Sequence, residues 1–177
     1  MDIVAIRPIG MGDVCQTYAD WLRDPLVNRY LETRHSEQTI ASVAAFVRAM
    51  MAHPDQHLFA ICVGPDAKHV GNIKIGPIVR PHGLADISLF VGERSAWGRG
   101  VATAAIRLAT RFGFEQLGLQ KLSASVYAPN VASAKAFLRV GYSQEGHRRK
   151  HFRMGEERVD CFEFGMCAED PATKEAI

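Results

Sequence analysis

Between residues 84 and 105 an alternating apolar run leads through a short turn into Trp97-Gly98-Arg99-Gly100-Val101-Ala102 and then an alanine-rich stretch. Strand, glycine turn and helix in that order require the chain to return by a right-handed crossover to a parallel strand, which excludes a purely antiparallel sheet. Small residues at Gly98, Gly100 and Ala102 allow a tight turn that exposes consecutive backbone N–H groups. Those donors sit where a helix begins. The helix dipole adds to them, and the loop favours a bound anion, typically a phosphate.

The rest of the chain supplies the partners for that unit. Residues 2–9 read as a strand and 13–22 as a helix stopped by Asp24-Pro25. Ser36 is placed to cap a second helix, in which Ile40, Val43, Ala44, Val47, Met50 and Met51 recur at helical spacing. Strands follow at 57–63 and 69–78, then Pro81-His82-Gly83 turns into the run at 84–91. After the glycine loop, Val101, Ala105, Leu108 and Phe112 form one helical stripe, and 121–127 is a strand. Asn130 caps a short helix that Gly141 ends in a left-handed turn, and strands at 142–152 and 158–166 close the chain. Three consecutive central strands imply antiparallel hairpins. The expected fold is therefore α/β (mixed α+β): one mixed, mostly antiparallel sheet of six to seven strands, helices on both faces, and a central parallel β-α-β crossover. It is expected as a single domain over residues 1–168 with a C-terminal tail at 169–177.

Composition narrows the function. At 177 residues, with 47% apolar and 23% charged residues, the chain is an ordinary globular protein with room for a sizeable core. A net charge of +2 does not point to nucleic acid. No apolar run approaches the ~20 residues of a membrane span, and the first residues are unlike a signal peptide, so no membrane partner and a cytoplasmic setting are expected. Cys15, Cys62, Cys161 and Cys167 lack a CxxC pair and read as buried reduced thiols. His147 and His151 fall on a strand, too far apart to share a metal, so no metal is expected. The basic run 147–153 reads as a solvated strand face.

The order of elements, with the glycine loop between the fourth strand and its helix, resembles the GNAT acetyltransferase superfamily over nearly the whole chain. That family's phosphate signature is Q/R-x-x-G-x-G/A; here the glycine and alanine match, and Trp97 stands where Gln or Arg is usual. The polar side-chain contact is thereby lost, while the backbone amides remain. Asn130-Val131-Ala132-Ser133, followed by Phe137 and Val140-Gly141-Tyr142, is similar to the family's motif on the helix flanking the coenzyme. Within the superfamily the chain resembles the RimJ/RimL branch, which also holds amino-sugar N-acetyltransferases. The segments Asn28–Arg34, Gly71–Pro77 and Gly83–Ile87 look closer to the sugar enzymes.

The resemblance implies acetyl-CoA as co-substrate. Gly98, Arg99, Gly100, Val101, Ala102 and Thr103, with Trp97, would cradle the pyrophosphate. Phe90 and Val91 would lie along the pantetheine arm, where the fourth and fifth strands separate at a bulge, with Asn130 and Ser133 on the other side. Strand alternation puts Asp86, Ser88 and Phe90 on one face, so Asp86 is a candidate base for the amine; a cross-strand pair with Lys74 is its structural alternative. Phe137 replaces the tyrosine that many relatives use to protonate the leaving thiolate. Ser133 then becomes the candidate acid, with Tyr127 as a second donor. Tyr30, Glu32, Arg34 and His35, with Lys74, are the candidate acceptor-binding residues. The expected activity is N-acetylation of a primary amine by direct attack in a ternary complex, in a monomer or homodimer. The acceptor would be a small amino sugar, alternatively a protein N-terminus. A non-catalytic CoA-binding module is the remaining reading.

Overall fold

A computed structural model describes residues 3–170. Seven strands form one sheet in the order β1-β2-β3-β4-β5-β7-β6. They are β1 Val4–Pro8, β2 His57–Val63, β3 Lys68–Val79, β4 Leu84–Val91, β5 Lys121–Tyr127, β6 Ser143–Met154 and β7 Glu157–Cys167. Every pairing is antiparallel except β4 with β5, as the crossover required. Five helices cover the sheet: α1 Gln16–Arg23, α2 Pro25–Asn28, α3 Ile40–Ala52, α4 Val101–Glu115 and α5 Val131–Val140.

Two apolar clusters lie on opposite faces. Ile73, Ile75, Ala85, Ile87 and Leu122 pack with Ala105, Ile106 and Ala109 of α4 and with Ala136 and Phe137 of α5. Tyr18, Trp21 and Leu22 of α1 pack with Val43 and Val47 of α3 and with Leu58 of β2, and Phe90 joins them from β4. Period-two alternation along β4 thus sends Ile87 to one core and Phe90 to the other.

Several local expectations are corrected. Thr39, not Ser36, caps α3: Thr39 Oγ1 accepts from Ser42 N at 3.0 Å and Ser42 Oγ from Thr39 N at 2.9 Å. This reciprocal pair satisfies two free donors, which Ser36 cannot do from the end of the 3-10 turn Glu32–His35. The buried ridge of α4 runs through Ala105, Ile106, Ala109, Thr110 and Gly113, leaving Leu108 and Phe112 on its shoulders. Thr110 can lie inside because its hydroxyl pairs with Tyr142 Oη at 2.8 Å. Cys62 and Cys161 are buried as expected, but Cys15 is exposed as the residue preceding α1. The basic run on β6 is solvated apart from Phe152. Residues 1–2 and 171–177, and with them most of the expected tail, lie outside the described residues.

The feature that creates the site is a divergence. β4 and β5 pair only at Leu84/Lys121, Ala85/Leu122 and Asp86/Ser123. Beyond that point the two strands part. β3 and β4 stay in register from Ile75/Ile87 to Gly71/Val91, and the bulge expected near Phe90–Val91 falls just past them, where Gly92 N and Glu93 N both donate to the Val70 carbonyl at 2.8 and 3.0 Å. The opening therefore comes from β5 leaving β4, because the parallel ladder ends three residues after it starts.

Candidate active site

Two cavities open on either side of this split. The first, of about 630 Å³, is lined by Phe90 and Val91 of β4, by Trp97, Gly98 and Gly100 of the loop, and by Val101, Ala102 and Thr103 of α4. Asn130 and Ser133 line its other wall. Gly98 and Gly100 both take left-handed φ, 72° and 81°, a region other residues enter at a cost. Gly100 is the N-cap of the 15-residue α4, and no side chain caps that end. The first-turn N–H groups are therefore available to an external acceptor, and a diphosphate fits that donor set.

Three cations to which the sequence assigned no role also line this cavity: Arg29, Lys135 and Arg139. Lys135 and Arg139 are four apart on the helix that Asn130 caps, a spacing that puts them on one face. Arg99, within the loop, does not line the cavity. Trp97 differs from expectation. The residue is 42% exposed, yet its indole N–H donates to the Val91 carbonyl at 2.7 Å, tying the loop to the end of β4. A polar side-chain contact is kept after all, redirected from ligand to backbone.

Asn130 Oδ1 accepts from Ser133 N at 3.3 Å and so caps α5. Phe137 is 1% exposed and packs against Tyr142 and Phe164, away from both cavities.

The second cavity, of about 680 Å³, lies between α1, α3 and the parted strands. Tyr30, Glu32, Lys74 and Tyr127 of the predicted set line it; Asp86, Arg34 and His35 do not. Ser88, Ser125 and Asn72 add polar groups to a wall otherwise built from residues such as Leu22, Phe46 and Phe152. The two cavities share Tyr30, Leu31, Leu89 and Phe90. They meet where the strands separate.

Arg34 is engaged in structure. It donates to Leu31 O at 2.8 Å, Tyr127 Oη at 2.7 Å and Arg153 O at 3.1 Å, and its guanidinium stands 5.0 Å over the Tyr127 ring. Tyr127 in turn donates a short bond to Glu32 and stacks on Phe152. Burial raises the Tyr127 pKa and the Glu32 bond adds to this, against the lowering effect of Arg34. His35 is exposed beside Glu32. Burial lowers the pKa of Lys74 while Asp86 props it up; burial raises that of Asp86, with Lys74 acting against it and Glu163 adding to it. Asp86 and Lys74 are thus the electrostatic couple that alternation allowed.

The comparisons agree with this geometry. The acetyltransferase (GNAT) domain family matches residues 4–143. An uncharacterized N-acetyltransferase, p20, of Bacillus licheniformis is 24% identical over 155 residues, covering 86% of this chain and 84% of its own. The uncharacterized N-acetyltransferase YoaA of Bacillus subtilis is 26% identical over 152 residues, covering 85% of each chain. Among solved structures, the spermidine N-acetyltransferase of Vibrio cholerae with CoA and spermine superimposes with a TM-score of 0.82 at 16% identity, over 93% of this chain and 95% of that one. A GNAT-family acetyltransferase of Bacillus anthracis gives 0.81 at 20% identity, over 96% of this chain and 100% of that one. No helix among the described residues is long and apolar enough to cross a membrane. The glycine loop at the head of α4, the split between β4 and β5, and the family match together make this chain a member of the GNAT family of N-acetyltransferases, enzymes that use acetyl-CoA.

Proposed function

We propose that the chain acetylates the primary amine of a small amino sugar, free or nucleotide-linked, by direct attack in a ternary complex. The observation that carries this reading is that the two cavities meet only at Tyr30, Leu31, Leu89 and Phe90. Coenzyme and amine can then approach one point from opposite sides, which converts a bimolecular encounter into a positioned one.

Bound acetyl-CoA supplies an acetyl group activated as a thioester. Backbone N–H groups from Gly98 to Thr103 would hold its pyrophosphate, with Lys135 and Arg139 adding charge. Phe90 and Val91 offer backbone to the pantetheine arm, because β5 has left that edge of β4 unpaired. Ser133 is favoured over Tyr127 for returning a proton to the departing sulfur. Ser133 lines the coenzyme cavity, whereas Tyr127 lines only the acceptor cavity and gives its hydrogen to Glu32. An amine with a pKa of about 8 is partly neutral near pH 7, so a strong base is unnecessary. Glu32 and Glu37 are the carboxylates that line the acceptor cavity; Asp86 serves the reaction through Lys74, whose charge it supports.

The acceptor class follows from the wall. The Lys74 ammonium, the Asn72 amide and the Ser88 and Ser125 hydroxyls suit a hydroxylated or phosphorylated amine, and Glu32 and Glu37 in the same wall suit its ammonium. Incubation with acetyl-CoA and separate panels of amino sugars, polyamines and N-terminal peptides, following free CoA, tests the reading. Turnover of amino sugars is expected; turnover confined to peptides or polyamines overturns it.

A further inference from the structure

β6 is an edge strand of the sheet, and its ladder with β7 breaks partway along. Arg148 pairs with Cys161 and Phe152 with Val159, so Arg149, Lys150 and His151 stand against Asp160 alone. A ladder continued from Arg148 without interruption would bring Lys150 opposite Val159. The bulge takes up two extra residues and brings Phe152 there instead. At its centre Lys150 adopts a left-handed φ of 51°, which costs any residue with a side chain.

The distortion is held from β7. Asp160 Oδ1 accepts from Lys150 N at 2.7 Å and its Oδ2 pairs with His147 Nε2 at 2.6 Å, while Arg158 Nη1 donates to the Lys150 carbonyl at 3.1 Å. Both main-chain groups of the strained residue are thus met by side chains of the neighbouring strand. The Asp160 carbonyl also accepts from Ala128 N at 2.9 Å, which ties the bulge to the end of β5. On an edge strand a bulge also deters pairing with another chain. That purpose makes no demand on the residue that follows. Here a phenylalanine follows, and it packs face to face on Tyr127, with ring centres 3.9 Å apart and planes 10° from parallel.

The exchange of Lys150 for Phe152 takes place in the wall of the second cavity. Phe152 and Tyr127 both line it, and Tyr30 stands 5.8 Å from Tyr127 in the same lining. Among the described residues, Phe152 is the one that β6 contributes. It is half-buried, so part of the ring stays open to an occupant. A regular ladder would bring the Lys150 ammonium toward the Arg34 guanidinium, which stands 5.0 Å over the Tyr127 ring. The bulge supplies a flat apolar surface in its place.

We propose that Phe152 is a specificity-determining residue, an aromatic platform on which a ring of the acceptor packs, so that a cyclic amine is favoured over an open-chain one. This rests on the assignment of the second cavity to the acceptor and names a feature of the molecule it takes. A pyranose offers a rigid face of C–H groups to an aromatic surface, and a pre-formed ring loses little conformational freedom on docking. Asp160 acts through the bulge as a positioning residue.

The test uses the full chain, saturated with CoA and carrying 4-fluorophenylalanine at position 152. Glucosamine and galactosamine are added, each beside its alditol, the same amine with the ring opened by reduction. A saturable 19F shift with at least one sugar, and binding of its alditol about fivefold weaker, are expected. No shift with either sugar, or equal affinity for sugar and alditol, overturns the inference. CoA release from acetyl-CoA, measured on the same amines, judges transfer independently: release without the ring preference leaves the enzyme reading standing and removes Phe152, and the ring preference without release does the reverse. For a sugar that turns over, Phe152→Leu should raise KM about fivefold, and Phe152→Tyr should keep it near the parent value. Asp160→Ala, which releases Lys150 N, should raise the same KM and displace the fluorine signal before any amine is added. An unchanged KM in Phe152→Leu overturns the role of Phe152, and an undisplaced fluorine signal in Asp160→Ala overturns that of Asp160.

Discussion

The two cavities are built on opposite principles. The cavity proposed for the coenzyme is mainly a backbone site: two left-handed glycines, the uncapped first turn of α4 and the unpaired edge of β4 would do the holding. The cavity proposed for the acceptor is a side-chain site, assembled from Tyr30 and Glu32 before α3, Asn72 and Lys74 on β3, Ser88 on β4 and Tyr127 on β5. A backbone site tolerates exchange of most side chains but is intolerant of a changed φ. A side-chain site keeps its fold under substitution and changes what it binds. Coenzyme binding can therefore be common to distant relatives of one fold while their acceptors diverge.

The largest expected effect breaks the backbone side of the comparison. In Gly100→Val a β-branched residue must take φ near 81° at the N-cap of α4. Strain of roughly 1–3 kcal/mol would turn the first-turn donors away, weakening CoA binding on the order of a hundredfold. Calorimetry with CoA measures it. At saturating CoA the acceptor KM should stay within twofold, because the second cavity takes no residue from the glycine loop or α4. A raised KM would show that the cavities are one site energetically as well as spatially.

A smaller effect is expected on the side-chain half. Lys74→Met should raise the acceptor KM about tenfold, the worth of one charge-assisted hydrogen bond, with CoA affinity unchanged. The charge also gives a pH signature. Burial lowers the Lys74 pKa, so the ammonium is lost, and acceptor affinity falls, at a lower pH than for a free lysine near ~10.4. Asp86 is the group that props up that charge. Asp86→Asn should move the alkaline limb of 1/KM to still lower pH, and a limb that stays in place would detach Asp86 from the site.

The same contrast governs what could be read from the sequence. The limits of β2, β4 and β5 were legible from alternation and turn residues, and the left-handed Gly141 from its place after a helix. The glycine turn at the head of α4 was legible because its parts are contiguous. The lining of the second cavity was only half legible, because it depends on contacts the sequence does not order. Arg34 was a plausible ligand until it met Tyr127, 93 positions away. Asn72 lay within a segment already noted for its likeness to the sugar enzymes, yet its place in the second cavity beside Lys74 depends on how β3 packs against distant elements, and no local pattern reports that. The divergence of β4 from β5 was foreseen but misplaced, because a bulge is local whereas the end of a parallel ladder depends on where a second strand turns away.

The smallest effect concerns Trp97, where the two kinds of site touch. The residue replaces a side chain expected to reach the ligand, and its indole N–H instead holds the Val91 carbonyl at the end of β4. Arg94 stands 6.0 Å over the ring and pairs loosely with Asp24 at the start of α2, so the indole links the loop to the segment that leads into Tyr30. Trp97→Phe keeps the ring and deletes the donor. One exposed neutral hydrogen bond is worth about 1 kcal/mol, so CoA affinity should fall about fivefold, with the acceptor KM unchanged. If the acceptor KM rose instead, the indole would be a hinge between the cavities and not a brace of the loop. If neither moved, the backbone of Gly98–Gly100 would hold its shape without the indole, and the proposed coenzyme site would be more nearly pure backbone than the Trp97 tie suggests.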